Sequence, residues 1–244
     1  MKVEVHFTIP EVEPAELAGA TAVVVDILRA TSSLATALAR GAKAIYPSPS
    51  TEEALRLAQS LGREDTLLCG ERRGLMIEGY DLGNSPLEFT ADAVKGKRLI
   101  MNTTNGTRAL VAVQPADTVM AAAFLNLRAV ADELLEREPE RLVVLCAGRE
   151  DGFALEDAVC AGMLLALMEN RGASMEADDS ARAALSLAST HSVSESFLAS
   201  TEAGKGLLEL GMGKDLQWCA QTDVLSLVPV LRDRALVPLR SDRT

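Results

Sequence analysis

Short runs of β-branched and aliphatic residues alternate along the chain with longer runs whose apolar positions recur every three or four residues. This is the pattern of repeated strand, loop and crossover-helix units. Three units stand out. Thr21-Ala22-Val23-Val24-Val25 reads as a buried strand, followed by Asp26-Ile27-Leu28-Arg29-Ala30-Thr31 and a helix through Leu34 and Leu38 that stops near Gly41. Arg98-Leu99-Ile100-Met101 leads into Asn102-Thr103-Thr104-Asn105-Gly106-Thr107 and then the run Arg108-Ala109-Leu110-Val111. Leu142-Val143-Val144-Leu145-Cys146 leads into Ala147-Gly148-Arg149-Glu150-Asp151-Gly152, then a helix from about Ala154 to Asn170 with Gly172 beyond it. Each strand delivers a polar loop at its carboxyl end, the edge at which parallel α/β sheets bind ligands.

Between these units, Ser50-Thr51-Glu52-Glu53 reads as a capping box that opens a helix ending at Gly62. Ser85-Pro86-Leu87-Glu88 reads as a second, opening a helix that closes near Gly96. After Gly172 the chain turns to Ala, Ser, Asp and Glu with spacing suited to short helices from about Ser180 to Leu210, a helical excursion from the sheet. Val224 to Val230 looks like a last strand, and Pro229 suggests that it lies at an edge. No linker or internal repeat interrupts this rhythm, so a single domain over 1–244 is expected.

Composition narrows the function. A chain of 244 residues with 48% apolar side chains can bury one substantial core in a compact α/β domain. Its 35 Asp and Glu against 24 Lys and Arg give a formal charge of -11, with no basic block. General nucleic-acid or anionic-membrane binding is therefore not expected, although a few arginines and a cation can still make one positive pocket. Cys69, Cys146, Cys160 and Cys219 lack both metal-site pairing and disulfide density, and no apolar run approaches membrane-spanning length. A cytoplasmic protein with reduced cysteines is the expectation, with a homodimer as the default assembly.

Candidate chemistry lies in the loops. Asp26 after an apolar strand can bind a cation or attack phosphorus, or simply cap the next helix; Arg29 and Thr31 add a guanidinium fork and a hydroxyl. Cys69-Gly70-Glu71-Arg72-Arg73-Gly74 puts an acid and two bases on a glycine-bracketed turn, which could equally be a solvated surface. Gly79 to Pro86, including Asn84 and Ser85, forms a long glycine-punctuated loop of the kind that carries function. Thr103, Thr104, Asn105, Gly106 and Thr107 offer hydroxyls, an amide and free N–H groups at a helix start, and Arg108 could complete a phosphate clamp. Gly148 and Arg149 precede Glu156 and Asp157, whose carboxylates suit Mg²⁺ but are also favoured in any first helical turn.

Known phosphatase signatures fail one by one. Six residues after Cys146 stands Gly152 rather than an arginine, Leu28 occupies the place of a second aspartate after Asp26, and His6 and His191 sit in no supporting motif.

The ordered blocks VVVDILRAT (23–31), CGER (69–72), GYDLGNSP (79–86), NTTNGTRAL (102–110) and CAGREDGFALEDAVCAG (146–162) resemble the 2-phosphosulfolactate phosphatase family of coenzyme M biosynthesis. The resemblance implies a three-layer α/β/α fold with a mostly parallel or mixed sheet, Mg²⁺ dependence, and hydrolysis of a small phosphate ester to an alcohol and inorganic phosphate. Its expected substrate bears carboxylate, sulfonate and phosphate groups. On this reading Asp26 and Glu71 hold the metal with Glu156 or Asp157, the threonine loop takes the phosphoryl group, and Arg29, Arg72, Arg108 and Arg149 supply positive charge. Attack by water and an aspartyl-phosphate at Asp26 both remain open, as does a different phosphorylated hydroxy acid as substrate. An anion-binding protein without turnover is the remaining alternative, disfavoured by the uncompensated acids. Two positions depart from the family pattern: Gly206 where a second basic residue is expected, and Arg73 where many relatives are expected to carry glycine.

Overall fold

The computed structural model describes residues 1–239. Its strands are β1 (Lys2–His6), β2 (Thr21–Val25), β3 (Ala44–Pro47), β4 (Thr66–Arg72), β5 (Leu75–Met76), β6 (Arg98–Asn102), β7 (Thr118–Ala122), β8 (Arg141–Cys146), β9 (Glu176–Ala177), β10 (Pro229–Arg232) and β11 (Ala235–Pro238). The helices are α1 (Ala30–Ala39), α2 (Thr51–Leu61), α3 (Ala91–Val94), α4 (Gly106–Ala112), α5 (Leu127–Arg137), α6 (Leu155–Asn170), α7 (Asp179–Thr190), α8 (Glu195–Ser200), α9 (Glu202–Glu209) and α10 (Gly213–Cys219). All the strands join one mixed sheet in the order β5-β4-β6-β3-β11-β10-β7-β2-β8-β1-β9.

The sheet has two parallel halves. β4, β6 and β3 pair in parallel, as do β7, β2, β8, β1 and β9; the antiparallel hairpin of β10 and β11 is spliced between them. Each side of the splice is a narrow contact, Val230 against Met120 and Leu236 against Ile45. Five interstrand steps separate β6 from β2. At the usual twist of about 20–25° per step, the halves turn past a right angle relative to each other. Strands that are formally opposed can thereby bring their carboxyl ends to one place.

Period-two alternation sorts the side chains into layers. Val23, Val25, Val144 and Cys146 pack with α5 and α6 on one face, whereas Ala22, Val24, Val143 and Leu145 face α1 and α4. Cys69, Leu99 and Met101 of the other half belong to that second cluster as well. The sheet thus curls around α1, whose small residues Ala, Ser and Thr are buried on every side from Ala30 to Leu38. On the far face of β4 and β6, Leu68 and Ile100 meet Ala54 and Ala58 of α2.

The helix at Thr51 opens as expected, with Ser50 Oγ accepting the Glu53 N–H, and ends at Gly62. Two expectations are corrected. No helix starts at Ser85: the Glu88 carboxylate accepts the Gly83 N–H and the Ser85 hydroxyl turns to Asp215, so helix waits for Thr90, whose hydroxyl caps α3. The strand expected from Val224 starts only at Pro229, and it lies inside the sheet between β11 and β7 rather than at an edge; proline is tolerated there as the first residue of the strand. The helical run after Gly172 forms α7 to α10. α7 lies so close on α6 that a methyl carbon placed at Gly162 would fall 1.9 Å from Ala184 O.

Candidate active site

The carboxyl ends of β2, β4, β6 and β8 meet the start of α1 and the side of α9 around a cleft of about 330 Å³. Asp26 is the first residue after β2. Its N–H donates to Thr31 Oγ1 (3.0 Å) and the Thr31 hydroxyl returns a bond to Asp26 O (2.8 Å), which closes a tight turn and leaves Thr31 fully buried. Asp26 Oδ1 accepts the Ala30 N–H at 3.1 Å, and among the described residues nothing hydrogen-bonds to Oδ2. The next peptide bonds carry Arg29 back inside, through a cis link from Leu28. Its guanidinium donates to Asp215 Oδ2 (2.6 Å) and Gly74 O (2.7 Å), with both charged side chains almost wholly shielded. Leaving either member of such a buried pair alone costs about 3–5 kcal/mol, so the pair fixes α10 against the start of α1.

Glu156 and Asp157 sit in the first turn of α6. Asp157 acts as a staple between loops: Oδ1 accepts the Ile27 N–H (2.8 Å) and Oδ2 the Gly148 N–H (3.2 Å). Glu71 does the same on the opposite wall, accepting from Gly74 N (2.7 Å) and Thr104 N (2.7 Å). These bonds tie the loops after β2 and β8 together, and the β4 turn to the loop after β6.

Crowding acids in a dry place raises their proton affinity. Burial, followed by the repulsion of Glu71 and Glu156, pushes the Asp26 carboxyl up to about 7 against the pull of the Ala30 N–H and Arg29. Asp157 is held well above the usual carboxylate range by burial first, then by Asp26 and Glu156. Glu156 is raised by burial, with Thr201 and Arg149 acting in the other direction. The thiols of Cys146 and Cys160 are pushed well up by burial, which leaves them unsuited to nucleophilic work.

Gly106 explains how α4 reaches this cluster. A methyl carbon there would lie 2.4 Å from Ala30 Cβ and 2.7 Å from Asp26 Oδ2, so any side chain would force α4 away from Asp26. Thr107 locks the same loop from within, through bonds in both directions with Thr103. Two polar atoms of the site are buried without a partner, Asn84 Oδ1 and the Thr104 hydroxyl. Both residues line the cleft. Buried oxygens without protein partners in a polar cleft are completed by water, an ion or a ligand.

Of the residues singled out from sequence, Asp26, Arg29, Glu71, Asn84, Thr103, Thr104, Asn105, Gly148, Arg149, Glu156 and Asp157 line the cleft. Thr31, Arg72, Ser85, Gly106, Thr107 and Arg108 do not. Arg72 donates to Asn102 Oδ1 (2.6 Å) and Glu71 O (2.8 Å), Ser85 to Asp215 (2.6 Å), and Arg108 pairs with Asp151 at 2.9 Å. The cleft is lined not by Arg72 but by Arg73, the first residue of the turn that follows β4. Gly206, singled out as a departure from the family pattern, lines the cleft too, but sequence reasoning gave no role to Asp215, which anchors Arg29 and Ser85 at once, and missed the wall made by Ala203, Leu207, Glu209 and Leu210. No local signal marks these; only tertiary packing brings α9 and α10 here.

Among the described residues, no three carboxylate, histidine or cysteine side chains converge into a cage for a metal ion. Glu71 and Asp157 are turned toward backbone N–H groups. What remains for a cation is Asp26 and Glu156, with the oxygens of Asn84 and Thr104. That set suits Mg²⁺, which keeps most of its water and takes one or two carboxylates.

A model of the 2-phosphosulpholactate phosphatase family matches residues 7–234. The chain belongs to that family. Among its relatives, the probable 2-phosphosulfolactate phosphatase of Clostridium acetobutylicum is 38% identical over 229 residues, covering 94% of this chain and 97% of that protein. Proteins of the same name from Symbiobacterium thermophilum and Gloeothece citriformis are 41% and 40% identical over 225 and 236 residues, spanning 92% and 96% of this chain and 96% and 97% of theirs. The match runs through every loop that lines the cleft, from Asp26 to Leu210.

Proposed function

We propose that the chain is a Mg²⁺-dependent phosphatase that hydrolyses 2-phosphosulfolactate to sulfolactate and inorganic phosphate. The observation that carries this reading is Asp26. It is a buried carboxylate with one oxygen free, raised to about 7, at the meeting point of two half-sheets and in the cleft that Thr104, with its unpartnered hydroxyl, also lines. Full-length similarity to proteins named for this reaction supports the substrate.

Each side chain has a task that its surroundings allow. The Thr104 hydroxyl, buried without a protein acceptor, donates to a phosphoryl oxygen. Arg149 places a guanidinium at the cleft wall, where it offsets the negative charge of the substrate and of Glu156. A Mg²⁺ ion held by Asp26 and Glu156 would supply electrophilic charge to the phosphoryl group. Glu71 and Asp157 keep the four loops in register, and Arg29 holds the turn after β4 by its bond to Gly74 O. Asp26 Oδ2 is the atom left to face the attacking water and guide its proton away from phosphorus.

Phosphate release measured with 2-phosphosulfolactate, phosphoglycolate and phosphoserine tests this reading. We expect 2-phosphosulfolactate to be turned over with the highest kcat/KM. Faster turnover of either other ester would assign the site to a different phosphorylated acid.

A further inference from the structure

Three of the four arginines expected to gather anions are held by protein acceptors. Arg29 is engaged by Asp215 and Gly74 O, Arg72 by Asn102 and Glu71 O, and Arg108 by Asp151 outside the cleft. Arg73 was not among them, yet it lines the cleft and is exposed. Among the described residues, no hydrogen bond or ion pair holds its guanidinium.

The backbone at Arg73 adds a second observation. Arg73 (φ 53) and Gly74 (φ 83) form the two-residue tip of the β4–β5 hairpin, between the registered pair Arg72 and Leu75. Left-handed values at both positions define the type I′ turn, in which asparagine or glycine precedes glycine and an arginine is disfavoured by its Cβ. The tip is also fixed in place. Gly74 N donates to Glu71 at 2.7 Å, Gly74 O accepts from Arg29 at 2.7 Å, and a methyl carbon at Gly74 would fall 2.6 Å from Leu210 Cδ1. A fixed hairpin therefore presents one exposed, unpaired guanidinium to the cleft.

The entrance needs that charge. Glu150 and Glu209 line the same cleft, the protein carries a formal charge of -11, and the wall at Gly206 contributes no side chain. We propose that Arg73 holds an acid group of the ester other than its phosphoryl group, and so sets the preference of the site for polyanionic substrates. The inference rests on the phosphatase reading above and adds to it the residue that selects among phosphate esters.

Arg73→Gly is the informative variant, because glycine adopts the turn without strain and the hairpin is kept. Steady-state phosphate release would be compared for 2-phosphosulfolactate, for 2-phospholactate, which lacks the sulfonate, and for the phosphate ester of isethionate, which lacks the carboxylate. For 2-phosphosulfolactate we expect KM to rise about 10- to 100-fold at nearly unchanged kcat, with partial recovery in Arg73→Lys and an unfolding midpoint no lower than wild type. If the sulfonate is the group held, the variant's penalty disappears with 2-phospholactate; if the carboxylate, it disappears with the isethionate ester. Equal KM in wild type and Arg73→Gly, or a loss confined to kcat, would overturn the inference and leave the phosphatase reading standing. A wild-type protein inactive on all three esters would overturn both.

Discussion

Asp26→Asn is expected to lower kcat for phosphate release by about 10³-fold or more while making the protein more stable at pH 8 in the absence of divalent cations. The loss follows from removing the only carboxylate oxygen left free at the end of β2; the amide can still accept the Ala30 N–H, so the turn persists. The gain follows from linkage. Asp26 has its proton affinity raised in the folded state, from 3.8 to about 7. The folded chain therefore binds the proton more tightly than the unfolded one between those values. Stability contributed by this group is full below about pH 4, falls as pH climbs toward 7, and stays low above it. The whole displacement corresponds to roughly 4 kcal/mol, and relaxation of the neighbouring acids should leave a gain on the order of 2 kcal/mol for the variant at pH 8. Urea unfolding at pH 5 and pH 8 reads this directly: wild type and variant should differ much more at pH 8. Equal stability at both values would mean that Asp26 is not the burdened carboxylate described above.

Gly106→Ala should be nearly as damaging to turnover, for a steric reason. The added methyl falls inside contact distance of both Ala30 Cβ, which moves only with its backbone, and Asp26 Oδ2, whose carboxylate is tethered through Oδ1 to the Ala30 N–H. The start of α4 must shift, and the Thr103–Thr104 loop with it. A displacement near 1 Å at reacting groups costs on the order of 10²-fold in rate, and overpacking of this kind about 1–3 kcal/mol in stability. The check is kcat/KM together with the unfolding free energy. Normal turnover in a folded Gly106→Ala protein would show that α4 need not touch Asp26.

How far the sequence announced this arrangement depends on the range of the interactions. Val23-Val24-Val25 before Asp26, and Ser50 before Glu53, were legible because strand burial and helix capping are local. The pairing of loops was partly legible too, since a polar segment after a buried strand has few other places to go. Failure came where a distant partner captured a local signal. Ser85 and Glu88 have the spacing of a capping box, but Asp215, far along the chain, takes the hydroxyl, and Gly83 takes the carboxylate. Arg72 and Arg73 are indistinguishable by type, and only the hairpin turn decides which faces the cleft. Acids at a strand end look alike in sequence as well. Asp157 and Glu71 turned out to hold backbone N–H groups, whereas Asp26 keeps an oxygen free. Nothing local could have placed β10 and β11 between the two halves, because their edges find Met120 and Ile45 only in the folded sheet.

The central claim is that loops from both half-sheets make one site for a cation and a phosphoryl group, with Asp26 at its centre. Titration calorimetry of Mg²⁺ into metal-free protein at pH 6.5, run in two buffers of different ionisation enthalpy, tests it most directly. The account predicts one bound ion per chain with release of protons, since a carboxyl raised to about 7 must ionise to ligate it, and loss of that binding in Asp26→Asn. Binding that persists unchanged in the variant, or that releases no protons, would contradict it.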